Sequence, residues 1–244
     1  MSVLENIKNT DLAGGVVSSL IVIIIMIILS IYIGIRAHFQ DPLKRPKGML
    51  LLAEVGINFF ENMAEGLLGK SFRSFGGYIM AIGVYMFIAF IFGLTGLPSP
   101  ITYMAIPLSL GLSTFILIHA TAIKYNKFRY FKRYIEPVPF FLPVNLISMW
   151  APLLSLTLRM FGNALSGFVI MSLMYNALEG LSATIFSFLE SSIGEWNQVF
   201  IAPLITWVFH LYFDIWSALI QTTVFLSLTT IYVGQEIPED FLGQ

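Results

Sequence analysis

Arg159 lies inside an apolar stretch, Leu153 to Met174, that otherwise reads as a membrane span, and it is the only Lys or Arg of the chain outside its loops and its start. A cation at mid-bilayer depth costs about 3 kcal/mol on insertion scales, so the guanidinium must face protein or water, and such a residue marks a functional site by default. Polar neighbours accompany it. Ser148, Pro152, Ser155, Arg159, Asn163 and Ser166 follow one another at three or four residues, which aligns them on one helix face. Gly162 and Gly167 beside the arginine offer a small-residue surface for a neighbouring helix. A second stripe, Thr206, His210, Asp214, Ser217 and Gln221, has similar spacing in the last apolar region. Two polar stripes that avoid hydrocarbon by facing one another make an aqueous pathway with one fixed positive charge, and the chemistry of that arrangement is ion handling.

Other readings of these residues exist. Arg159 could be a helix-to-helix staple neutralised by Asp214, and His210 and Asp214, one turn apart, suit a structural hydrogen bond as well as an ion relay. Individual Ser and Thr hydroxyls often only satisfy a carbonyl of their own helix. His38 and His119 read as incidental, and Glu54, Glu61 and Glu65 as a solvated face. Bond-making chemistry has little to work with: three scattered histidines, no cysteine and no H-E-x-x-H pair leave no nucleophile with its base and no metal site, and no cofactor is expected.

The elements that must hold these side chains are membrane helices. Apolar residues form 57% of the chain and charged residues 11%, against about 25% charge in a soluble domain. The expected fold is all-α and integral to the membrane, a single domain over residues 1–244. Runs of about 20 apolar residues predict spans at 16–35, 76–96 and 105–123 and two longer regions at 141–178 and 197–233, long enough to tilt strongly or to project. Residues 48–70 differ, because Glu54, Asn58, Glu61 and Glu65 recur at helical spacing, and they predict an amphipathic helix lying at the interface. Met1 to Leu12 is polar and the run from Gly14 to Ile35 can span a bilayer, so no removable signal peptide is expected.

Basic residues orient the chain. Arg36, Lys44, Arg45, Lys47, Lys70 and Arg73 flank the amphipathic helix, and Lys124, Lys127, Arg129, Lys132 and Arg133 follow the third span, whereas loops 97–104 and 180–196 contain none. The positive-inside rule makes both basic segments cytoplasmic, with the N-terminus outside and the C-terminus inside. The fourth span then rises outward from Pro139 and Pro143 through Arg159. The fifth descends, with Asp214 nearer the outer face and Gln221 deeper, roughly opposite Arg159.

Three sequence blocks now carry a resemblance. FLPVNLI at 141–147 with SLTLRMFGN at 155–163, and IQTTVFLSLTTIYVG at 220–234, closely resemble the signatures of subunit a of F-type ATP synthases, and the Pro46-Lys-Gly48 step is similar too. The resemblance covers residues 40 to 235. It implies an ion-translocating stator subunit without catalytic chemistry of its own, set against a rotating ring of c subunits and held with peripheral-stalk b subunits and the rest of the complex, in a bacterial plasma membrane. It implies that ions enter from outside past Asp214 and His210, meet a ring carboxylate, and leave past Ser148 and Ser155. Arg159 would separate the two half-channels, favouring ion release by its charge and blocking a leak, with Gln221 and Asn163 beside it and Ser166, Ser217 and Thr206 lining the route. Nucleic acid plays no part.

This sequence departs from the family pattern at several places. Phe168 stands nine positions after the arginine, where an acid or His is frequent, and Asp214 stands seven before the glutamine, where Glu or His is commoner. The entry relay is therefore reduced, and His210, one turn from Asp214, is expected to supply the polar group missing at Phe168; Met149 and Pro152 also replace a Glu and a basic residue. The competing class is a secondary transporter whose midplane Arg159 binds an anionic substrate, but such folds show paired, Gly/Pro-interrupted repeats, and no repeat is legible here.

Overall fold

The computed structural model describes residues 12–41, 45–135, 140, 142–185 and 201–238. The polar start 1–11, Lys44, Pro139, Phe141, the linker 186–200 and the tail from 239 lie outside the described residues. Among the described residues every regular element is helical, and five helical stretches are long and apolar enough to cross a membrane.

Helix α1 (Leu12–His38) is apolar around its whole circumference and leaves Ile24, Ile28 and Ile31 exposed, as a helix solvated by hydrocarbon does. Its polar tie is Ser19 Oγ to Tyr85 OH at 2.7 Å. Helix α2 (Met49–Leu68) is the amphipathic segment. It begins after Gly48 (φ 61°) and ends at Gly69 (φ 92°), both in the left-handed region that a side chain disfavours. Ala64 and Leu68 are buried while Leu51, Val55 and Phe59 remain exposed. The expectation of a purely solvated acidic face fails at Glu61, which accepts a 2.7 Å bond from Arg73 Nε in the 3-10 turn Lys70–Phe75.

Helix α3 (Gly76–Ile91) continues as a 3-10 turn, Phe92–Thr95, and a short 3-10 segment, Pro100–Thr102, leads into α4 (Ala105–Ile135). The third helix of the expected set therefore runs well past residue 123 into the basic segment, with non-helical geometry at Lys127 (φ 47°). Helix α5 spans Leu142–Ile185, beyond the expected end at 178. At 1.5 Å per residue its 44 residues extend about 66 Å, twice the ~30 Å hydrocarbon core, so it leans far more than the usual ~20° or projects from the bilayer. The last helical stretch joins α6 (Ala202–His210), a π-helical turn Leu211–Trp216 and α7 (Ser217–Gln235).

Burying a leucine gains little over lipid, so close packing and interhelical hydrogen bonds, the latter averaging about 0.6 kcal/mol, must hold such helices together. The core joins Ala64, Ile79, Met86, Phe90, Leu156, Met160, Ala218 and Phe225 from α2, α3, α5 and α7. Glycines permit this approach: a Cβ on Gly76 would stand 2.7 Å from Glu61 Cα, and one on Gly83 2.8 Å from Leu226 Cδ1. Between α4 and the last helix, Thr114 meets Thr229 at 3.4 Å and Asn126 Nδ2 donates to Glu236 O at 2.9 Å. His119 is embedded in this helix packing, its Nδ1 2.8 Å from Phe115 O and its ring beside Phe115 and Tyr130.

Candidate functional site

Arg159 is positioned by the helical wheel of α5. Leu156, Thr157 and Met160 turn inward to the core and are nearly inaccessible, which leaves Leu158 and Arg159 exposed on the outer surface of the chain. Its Nη2 donates to Ser155 Oγ at 3.3 Å, one turn away, and among the described residues no carboxylate pairs with it. The staple reading is thereby overturned, since Asp214 is engaged by His210 instead. The rest of the stripe shares this outward face: Ser148, Asn163 and Ser166 are exposed and Ser155 is half-buried. Ser148 donates to Val144 O (2.9 Å) and Ser166 to Asn163 O (3.1 Å), each within its own helix. Gly162 adds an open notch, since a Cβ there would meet nothing within 4 Å.

The second stripe divides into parts with different surroundings. Thr206 is buried and donates to Ala202 O at 2.8 Å, so its hydroxyl is spent on its own helix and does not face the cavity. His210 and Asp214 are partly buried and bonded through Nδ1 and Oδ2. Ser217 is half-buried. Gln221 is buried, and its Oε1 has no hydrogen-bond partner among the described residues. Gln221 thus makes no bond to Arg159, although Ala218 and Phe225 on its flanks share one core cluster with Leu156 and Met160.

Tyr175 completes a chain of three groups that the spacing did not reveal. Its hydroxyl lies 2.7 Å from His210 Nε2. An ionised carboxylate only accepts, so His210 Nδ1 donates to Asp214, and Nε2 forms the hydrogen bond with the Tyr175 hydroxyl. Asn163, Gly167, Met171 and Tyr175 follow one another on α5 at intervals of four residues, and this continuation of the stripe was the available signal. The π turn holding Asp214 was not readable from residue types, though such turns occur often at functional sites.

A cavity of about 530 Å³ gathers Asn163, Gly167, Phe168, Tyr175, His210 and Asp214, roofed by the Gly96–Ser99 loop. Gly96 makes that loop possible with φ 79°. Phe168, which stands where a polar group was anticipated, is 61% exposed and lines the cavity without a polar atom to offer, while Asn163, Tyr175, His210 and Asp214 supply polar atoms to the same wall. A second, adjoining cavity of about 510 Å³ shares Tyr175 and His210 with the first, which makes that bonded pair part of both walls. Asn163 on the first cavity is four residues, about 6 Å of rise, from Arg159.

Comparison with known proteins places the sequence in a family. The sequence profile of the family described as "ATP synthase A chain" matches residues 16–234. "ATP synthase subunit a" of Mycoplasmoides gallisepticum is 30% identical over 231 residues, covering 91% of this chain and 77% of that one. The Bacillus subtilis protein of the same name is 28% identical, covering 95% and 93%. A protein of Propionigenium modestum named "ATP synthase subunit a, sodium ion specific" is 32% identical over 126 residues, 52% of this chain and 36% of that one. A chain of five membrane-spanning helical stretches matched along almost its whole length in this way belongs to the ATP synthase A chain family, as a multi-pass membrane subunit of the ATP synthase complex.

Proposed function

We propose that the chain is the ion-translocating stator of the membrane sector, forming two half-channels against a ring of c subunits, and that Arg159 separates them. The observation that carries this reading is an exposed arginine with no paired carboxylate among the described residues, one turn from a cavity lined by Asn163, Tyr175, His210 and Asp214. A cation at membrane depth cannot stay uncompensated. In this reading a carboxylate on a passing ring subunit supplies its counter-charge intermittently. The cavity serves as the outer half-channel, its ion delivered past Asp214 toward Asn163. Ser148 and Ser155, on the opposite side of Arg159, line the inner one. The transmembrane potential contributes about 2.3 kcal/mol per charge per 100 mV, which does work only if ions cannot cross directly between the routes. Repulsion by Arg159 closes that shortcut.

In this reading the subunit performs no bond chemistry alone. Its N-terminus faces outward and its C-terminus the cytoplasm of a bacterium, and b subunits brace it in the complex. The transporter alternative finds no support, because Arg159 stands on an outer face and not at the base of a cleft between repeats. The test uses Gly162→Cys, since the chain has no native cysteine and the notch is open. Paired with a cysteine on the outer face of the ring helix and oxidised with copper phenanthroline, it should form one disulfide per complex to a ring subunit and stop rotation. Absence of any ring cross-link, with cross-links to another chain instead, refutes the assignment.

A further inference from the structure

We infer that the cavity between the end of α1 and the start of α2 binds the phosphate headgroup of an anionic membrane lipid. This rests on the chain being a membrane protein and not on the ion-pathway reading. The cavity encloses about 500 Å³, within the range of small-molecule sites, and Arg36, Arg45 and Lys47 line it together with Tyr32, Phe39 and Met49. Among the described residues no acidic side chain is on its wall. The Arg36 guanidinium lies 5.7 Å from the centre of the Tyr32 ring and donates to its hydroxyl at 3.3 Å, which orients it without neutralising it. Among the described residues none of the three cations is paired with a carboxylate.

Depth and shape specify the occupant. Arg36 ends the 25-residue apolar stretch Gly14–His38, so the cavity opens at the level of the headgroup layer. Its rim is apolar and accessible, with Phe39 81% and Met49 48% exposed. A site cationic within and apolar at its edge, at that depth, matches a phosphodiester with attached acyl chains, and basic pockets beside membrane helices bind anionic headgroups in this way. Inorganic phosphate shares the charge but leaves the rim unused.

The test compares intact ATP synthase carrying the parent chain, Arg45→Gln with Lys47→Gln, and the charge-preserving Arg45→Lys with Lys47→Arg. Each is exchanged through detergent and then placed in nanodiscs of mixed phosphatidylglycerol and phosphatidylcholine, and bound lipid is counted by mass spectrometry. The parent and the charge-preserving variant should retain phosphatidylglycerol, with about fivefold weaker retention for each charge lost, hence roughly 25-fold for the Gln pair. Phosphatidylcholine retention should not change, nor should ATP synthesis by the same complexes reconstituted in sealed vesicles. Equal phosphatidylglycerol retention in parent and Gln pair overturns the proposal, as does displacement of the lipid by millimolar inorganic phosphate. A photoreactive benzophenone on Phe39→Cys separates the remaining case: an adduct on phospholipid supports the site, and an adduct on a polypeptide overturns it.

Discussion

Arg159→Ala should separate function from folding by a wide margin. The side chain is exposed and makes one 3.3 Å bond to a neutral hydroxyl, so truncation opens no internal cavity and removes at most about 1 kcal/mol of stability. The electrostatic consequence is larger. Two unit charges about 4 Å apart interact by about 4 kcal/mol at an effective dielectric of 20, which corresponds to roughly a thousandfold change in how readily a ring carboxylate gives up its ion. The same charge opposes a cation moving straight between the half-channels. Purified complex carrying Arg159→Ala, reconstituted in vesicles, should therefore retain its subunits and its thermal stability, lose ATP synthesis by about three orders of magnitude, and pass more ions without turnover. Arg159→Lys keeps the charge and should leak less than Arg159→Ala. Synthesis above a tenth of the parental rate in Arg159→Ala, or failure of both variants to assemble, refutes the reasoning.

Three further outcomes follow from the geometry. Asp214→Asn removes the carboxylate that accepts from His210 Nδ1, and passive conductance of the membrane sector should fall at least tenfold; unchanged conductance removes Asp214 from the pathway. Tyr175→Phe keeps the ring but takes the hydroxyl from His210 Nε2, so conductance should drop severalfold while the unfolding temperature moves little, the net value of one such bond being about 1 kcal/mol. If conductance is unaffected, Tyr175 only fills space. Gly76→Val would force a Cβ to within 2.7 Å of the Glu61 backbone, which cannot swing aside, and overpacking there should destabilise the subunit by about 1–3 kcal/mol in detergent melting. An unshifted melting curve would show that α2 and α3 are not tightly apposed.

The parts legible in sequence are those governed by solvation of single residues. Hydropathy located α1, α3 and α4, and the period of Glu54, Asn58, Glu61 and Glu65 identified α2, because transfer energies act on each residue wherever its partners are. Arg159 stood out for the same reason: its cost in hydrocarbon does not depend on the fold. Helical spacing also placed His210 against Asp214, four residues on, since that geometry belongs to one helix.

What the tertiary structure decided was which surfaces meet. Spacing put Arg159 on a polar face, but only the packing of Leu156 and Met160 into the core turned that face out of the chain, away from Asp214. Thr206 was equally polar by type and is consumed by its own backbone, while Gln221 is buried without a bond to Arg159. Tyr175 reaches His210 across 35 positions of chain, and Arg73 reaches Glu61 across 12. A helical period reports the direction of a side chain about its own axis. The group that waits in that direction is set by how separate helices cross, and that depends on volumes and close contacts contributed by many residues at once.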